Sequence, residues 1–96
     1  MATKINASHI LVKTDAEAKV ALYDIKNAGK KFEDIAKEKS LCPSRKNGGS
    51  LGWFGRGQMV KEFESACFNS TVKKGDIVGP IKTQFGYHII RVDDVQ

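Results

Sequence analysis

The chain predicts an α+β domain with a small, mostly antiparallel sheet, and three features of its 96 residues lead there. A strand pattern with apolar residues on both faces opens the chain at Lys4 to Lys13. Helical periodicities fill the middle. A strand, turn and strand, Pro80 to Thr83 and Tyr87 to Val92, close it. The order β-α-α-β-α-β-β, with hairpin strands together at the end, belongs to antiparallel α+β domains and not to alternating parallel ones. At 41% hydrophobic and 28% charged residues, composition suits one compact domain over 1–96, with no internal repeat or low-complexity tract.

Each element has its own signal. Lys4 to Lys13 carries apolar residues at odd and even positions, as a strand covered on both faces does, and it points His9 the same way as Ala7 and Leu11. Thr14 followed by Glu17 fits a capping box at a helix start. Ala18, Ala21, Leu22, Ile25 and Ala28 recur at helical spacing, with Gly29 as the stop. A shorter helix from Phe32 to Ser40 buries Phe32, Ile35 and Ala36, and Pro43 limits its extension. A short strand around Leu51–Phe54 comes next. A helix from Val60 to Phe68 then places Phe63 and Cys67 four residues apart on one side. Lys73-Lys74-Gly75-Asp76 reads as a turn. The closing strands form a hairpin through Gln84-Phe85-Gly86, and His88, Ile90 and Val92 share a face.

Charge and cysteine content narrow the function classes. The net charge of +5 is uneven: residues 1–48 hold ten Lys and Arg against six Asp and Glu, while 49–96 hold six against five. Lys26, Lys30, Lys31, Lys37 and Lys39 could form a face for weak contact with anionic membranes or nucleic acid. Their interleaving with Glu33, Asp34 and Glu38 favours a solvated surface instead. Cys42 and Cys67 are too few for a disulfide scaffold and have no metal-type spacing with His9 or His88, so no metal or cofactor is expected. No apolar run approaches the ~20 residues of a membrane span, and the first residues of the sequence lack the uninterrupted apolar core of a signal peptide. The expectation is a cytoplasmic monomer.

The densest segment is Asn47-Gly48-Gly49-Ser50-Leu51-Gly52-Trp53-Phe54-Gly55-Arg56-Gly57-Gln58-Met59, where glycines surround large apolar residues. Such a loop lets backbone approach a ligand beside an apolar surface. It is no phosphate loop: the Gly-Lys-Ser/Thr ending is absent, and Val60 stands where Gly55-Arg56-Gly57 would need a third glycine. A cysteine nucleophile with His9 or His88 as base lacks a supporting signature around Cys42-Pro43. Cys67, among Phe63, Ala66 and Phe68, reads as core.

Taken with Ser8-His9-Ile10-Leu11-Val12 and Gly79-Pro80-Ile81 through Thr83-Gln84-Phe85-Gly86-Tyr87-His88-Ile89-Ile90, this loop resembles the parvulin family of peptidyl-prolyl cis/trans isomerases over nearly the whole chain. The resemblance implies a four-stranded sheet, flanked by helices, whose central strands are the first and last. It implies that His9 and His88 meet beneath the site as organisers, hydrogen-bonded to each other, with tautomers that orient Cys42 and neighbouring hydroxyls. Thr83 and Ser44 would complete that network, and Cys42 would tune the electrostatics near the rotating carbonyl. Leu51, Met59 and Phe63, with Phe54 and Phe85, would form a cup for a proline ring.

The implied activity is non-covalent isomerisation of unphosphorylated X–Pro bonds in peptides and in unfolded or nascent proteins. Phosphate-directed members carry an arginine pair after the first strand, whereas here that loop is Lys13-Thr14-Asp15. Two other classes stay open: a chaperone module that holds proline segments without turnover, and a basic-surface membrane or nucleic-acid binder. Catalysed exchange separates the first from an enzyme, and steep salt dependence marks the second.

Overall fold

A computed structural model describes residues 3–96. Strand β1 (Lys4–Val12) leads into helices α1 (Asp15–Lys26) and α2 (Phe32–Lys39), a 3₁₀ turn at Pro43–Asn47, strand β2 (Ser50–Gly55), helix α3 (Lys61–Cys67), and strands β3 (Ile77–Thr83) and β4 (Gly86–Val95). The sheet has the order β2-β1-β4-β3, with every neighbouring pair antiparallel. The first and last strands are therefore central, as the family resemblance implies.

Residue alternation along β1 and β4 divides the core. Ile10, Val12 and Ile89 pack with Ala18, Ala21, Phe32, Ile35 and Ala36 beneath α1 and α2. Ile5, Ala7, Ile90 and Val92 face the other way and pack with Phe54, Phe63 and Cys67. Burial on both faces explains why β1 carries apolar residues at odd and even positions alike.

Thr14 caps α1 by accepting the Glu17 N–H at 3.2 Å. The Glu17 carboxylate in turn accepts the Thr14 hydroxyl at 3.0 Å, where the expected box would use the Thr14 backbone N–H. Thr14→Ala is expected to cost about 1 kcal/mol, lowering the thermal midpoint by roughly 4–8 °C in a calorimetric scan. The helix ends at Lys26, before the expected stop at Gly29. The Asn27 N–H closes the last turn on the Tyr23 carbonyl, and Gly29 reverses the chain two residues later at φ 72°.

The irregular segments surround the future site. Gly49 sits at φ 89°, where its carbonyl accepts the His9 N–H at 2.9 Å, and a Cβ there would lie 2.4 Å from the His9 carbonyl oxygen. Glycine at this position is thus a steric requirement of the β1–β2 junction. Gly86, pairing with Thr83, closes the β3–β4 hairpin, so the loop itself is Gln84-Phe85. β3 is longer than the sequence suggested, beginning at Ile77, and its register shifts between Val78 and Ile81.

Two of the five helical lysines singled out by the sequence have an acidic neighbour. Lys30 and Lys39 both approach the Asp24 carboxylate, at 3.8 and 3.9 Å. This sharing fits the solvated-surface alternative.

Candidate functional site

Antiparallel pairing of β1 with β4 sets His9 opposite Ile90 and Leu11 opposite His88, so the two histidines are diagonal neighbours on one face. Their Nδ1 atoms lie 2.9 Å apart, and the rings stack with centroids 5.1 Å apart at 20°. The residues are only 5% and 4% exposed. Burial, and secondarily the neighbouring His88, pulls the His9 pKa down to about 4, while burial also lowers that of His88. Both rings are therefore neutral near pH 7.

Two neutral imidazoles at this distance share one N–H between the facing nitrogens, one donating and the other accepting. The chain of contacts continues from His88 Nε2 to Thr83 Oγ1 at 2.7 Å, and Thr83 Oγ1 accepts the Phe85 N–H at 3.2 Å. When His88 Nδ1 donates to His9, its Nε2 accepts the Thr83 hydroxyl proton. When His9 donates, His88 Nε2–H donates to Thr83. The tautomer of the pair thereby fixes the direction of the Thr83 hydroxyl. Phe63 closes over the pair, with its ring edge-to-face to His9 at 5.6 Å and to His88 at 5.5 Å.

Above this pair opens a cavity of about 450 Å³, predominantly apolar in its lining. That volume lies within the ordinary range for ligand sites. Of the sequence-predicted residues, His9, Cys42, Leu51, Met59, Phe63, Phe85 and His88 all line it. Thr83 is buried and acts on the site only through His88 and the Phe85 amide.

Three expectations need correction. Phe54 is not a wall of the cup: it is buried in the core, 5.9 Å from the Phe63 ring and 6.0 Å from Phe68, and supports Phe63 from behind. The register decides this: Phe54 pairs with Ile5, at the end of β1 away from His9, so it shares the cup's face of the sheet but lies beyond it. Ser44 does not join the histidine network, since its Oγ is buried without a hydrogen-bond partner. Nor does the network orient Cys42, because its hydrogen bonds run to Thr83 instead.

Cys42 is placed by backbone. Leu41 N–H donates to the Leu11 carbonyl at 2.8 Å, while the fully buried Ser40 Oγ accepts the N–H of Leu11 at 3.1 Å and of Cys42 at 3.4 Å. These bonds dock residues 40–42 on β1, and Pro43 then starts the 3₁₀ turn. Cys67 is a core residue, as its spacing predicted, and burial pushes its thiol up to about 12. A thiol so protonated is chemically inert near neutrality.

Sequence reasoning missed Leu11, Leu41, Pro43, Gln58 and Val60 in the lining. Leu11 was discoverable, since it shares a strand face with His9, and Gln58 and Val60 flank Met59. Leu41 carried no periodic signal. It is 60% exposed, and Phe85, also at the cavity, is 61% exposed.

Comparisons with known proteins converge on one family. The Rotamase family, described as the PPIC-type PPIase domain, matches residues 7–94. The foldase protein PrsA of Geobacillus kaustophilus is 51% identical over 92 residues, covering 95% of this chain and 32% of its own length. The chain thus spans about a third of the length of the first curated relatives it matches. Among solved structures, the Nitrosopumilus maritimus parvulin NmPin superimposes with TM-score 0.82 at 44% identity, covering 96% of this chain and 97% of that one. Pin from the archaeon Cenarcheaum symbiosum gives TM-score 0.79 at 50% identity, with 96% and 93% covered. With the histidine pair beneath an apolar cup and a family match across all but the ends, this chain belongs to the parvulins, the PPIC-type peptidyl-prolyl cis/trans isomerase family.

Proposed function

We propose that this domain accelerates cis/trans rotation about unphosphorylated X–Pro bonds in peptides and in unfolded or nascent chains. The observation that carries this reading is the apolar cavity walled by Leu51, Met59 and Phe63 directly over a neutral, mutually hydrogen-bonded histidine pair. Rotation of a peptide bond costs ~18–20 kcal/mol, and X–Pro bonds turn over unaided in tens to hundreds of seconds. Turnover at roughly 10–1,000 per second asks for about 4–7 kcal/mol, since each factor of ten is about 1.36 kcal/mol. Such a demand needs no covalent intermediate.

The proline ring is gripped by Leu51, Met59 and Phe63 while the preceding carbonyl swings. Twisting removes amide resonance, which makes the carbonyl less polar and the proline nitrogen more basic. A poorly hydrated site therefore favours the twisted state over the planar one. Neutral histidines suit this environment better than an imidazolium, whose field would favour the more polar planar carbonyl. Cys42, at the cavity wall, supplies a weakly polar group near the rotating carbonyl. The preference for unphosphorylated substrates rests on Lys13-Thr14-Asp15: Thr14 caps α1, Asp15 pairs with Lys19 at 2.9 Å, and the loop contains no arginine. The same reading includes a monomeric, cytoplasmic domain in which Cys42 and Cys67 stay reduced.

Two-dimensional exchange NMR on an unphosphorylated X–Pro tetrapeptide, with substoichiometric protein, tests the proposal. Wild type is expected to give exchange cross-peaks. Met59→Ala removes apolar contact equivalent to about 2 kcal/mol, a roughly 30-fold loss in kcat/KM, and Cys42→Ala costs about three- to tenfold. Peptide shifts without accelerated exchange would instead identify a module that binds proline segments and does not turn them over.

A further inference from the structure

Two walls of the cup, Met59 and Phe63, lie on either side of the junction between the loop after β2 and helix α3. Something must hold that loop in register with the helix. The helix start does not, because Val60 at the cap makes no side-chain hydrogen bond. The link comes instead from Glu64, the residue after Phe63. Its carboxylate reaches back past the helix start to accept the Gly57 N–H through Oε1, while Oε2 lies 3.8 Å from the Arg56 guanidinium.

The Arg56 guanidinium carbon lies 4.6 Å from the centre of the Phe68 ring. Phe68 meets Phe54, and Phe54 meets Phe63, each in an edge-to-face contact. A closed ring of contacts therefore runs from Phe63 through Phe54, Phe68 and Arg56 to Glu64. Gln58 tightens the same turn, accepting the Gly55 N–H at 2.6 Å. Gly57, at φ 84°, occupies the left-handed conformation that presents its N–H to Glu64.

We propose that Glu64 is a positioning residue for proline recognition, a carboxylate outside the cup that fixes the Gln58-Met59 segment against Phe63. Glu64 does not line the cavity, and its side chain is 21% exposed. It acts by pre-organisation: a loop already in its bound geometry loses less freedom when the peptide binds. The effect should fall on substrate binding, in KM or Kd, with kcat little changed. This inference rests on the cup being the proline site, so its test reads peptide affinity as well as turnover.

The experiment compares wild type, Glu64→Ala, Glu64→Gln and the control Glu62→Ala, which alters an exposed acid on the same helix turn. Tetrapeptide titrations followed by ¹⁵N shifts give Kd, exchange spectroscopy gives kcat and KM, and the Gly57 amide reports on the bond itself. Glu64→Ala is expected to raise Kd and KM about 5- to 20-fold, with kcat within about twofold and Gly57 exchanging faster with solvent. Glu64→Gln keeps an acceptor for Gly57 and should recover most of the affinity, while Glu62→Ala should match wild type.

Wild-type affinity in Glu64→Ala despite loss of Gly57 protection would overturn the proposal. So would equal impairment of Gln and Ala, or global unfolding of Glu64→Ala, which would make the residue a stability element. Peptide binding by wild type without catalysed exchange would count against the isomerase reading alone, and the Kd ratios would still decide the role of Glu64.

Discussion

Replacing Phe63 with alanine is expected to lower the unfolding free energy by about 3–5 kcal/mol and to abolish measurable isomerase turnover. Both effects come from one ring. Phe63 is 2% exposed, wedged between Phe54 behind it and the two histidines beneath it. Its removal leaves a void in the core on the α3 side of the sheet and opens the floor of the cup to water. Hydration is the more damaging change for function, because the proposed rate gain depends on a dry site in which the twisted amide is favoured.

Domains of this size hold only about 5–15 kcal/mol in total, so Phe63→Ala will be marginally folded and must be assayed in the cold by urea unfolding. Phe63→Leu separates the two roles. Leucine refills much of the volume at a cost of about 1–2 kcal/mol, but it lacks the flat edge-to-face contacts with the imidazoles. A folded Phe63→Leu is expected to lose turnover about tenfold or more while still binding peptide. Wild-type turnover in that variant would mean that the aromatic ring matters for packing alone.

The central position of β1 was readable because apolar residues occupy both faces of the pattern from Lys4 to Lys13. The Thr14 cap was readable because a hydroxyl and a carboxylate at that spacing have few other uses. The meeting of His9 and His88 was not readable from periodicity, which places each on a strand face but says nothing of register. It came from family resemblance, and β1–β4 pairing supplies the physical reason.

Phe54 shows the converse failure. Lying in the glycine-rich segment among cup residues, it looked like a wall, yet its pairing with Ile5 places it along β1 away from His9, in the core behind Phe63. Ser40 was invisible for a different reason. A serine at a helix end is ordinarily a solvated residue, and only the packing of residues 40–42 on β1 turns its hydroxyl into a buried acceptor for two backbone amides. Leu41 and Glu64 likewise gain their positions from tertiary contacts that no local pattern encodes.

Acid should destabilise this fold well before its surface carboxylates titrate. His9 in the folded state titrates near 4, against an ordinary 6.5 once the chain unfolds. Between those values the unfolded chain binds the proton and the folded one does not, so stability rises with pH across that window. The contribution is fully present above pH 6.5, is lost progressively as pH falls toward 4, and amounts to roughly 3 kcal/mol. His88, lowered by burial as well, adds in the same direction.

Glu33 provides an internal contrast. Its hydrogen bond from Arg91 holds the carboxyl below its ordinary value of 4.5, so its contribution vanishes only as pH falls below about that point. Urea midpoints measured from pH 7.5 to 4 should therefore decline through the histidine window, ahead of any carboxylate effect. The His9 Hε1 shift in the folded protein should stay at its neutral position down to about pH 5, and that of His88 should move only below the ordinary imidazole range. Turnover should be flat from pH 6 to 8 and fall in acid as a proton enters the pair, since a second one would set two N–H groups face to face. A urea midpoint that stays level down to pH 4.5, or an imidazole that titrates near 6.5 in the folded state, would show that the pair is not held neutral by burial. The dry-site mechanism would then lose its electrostatic basis.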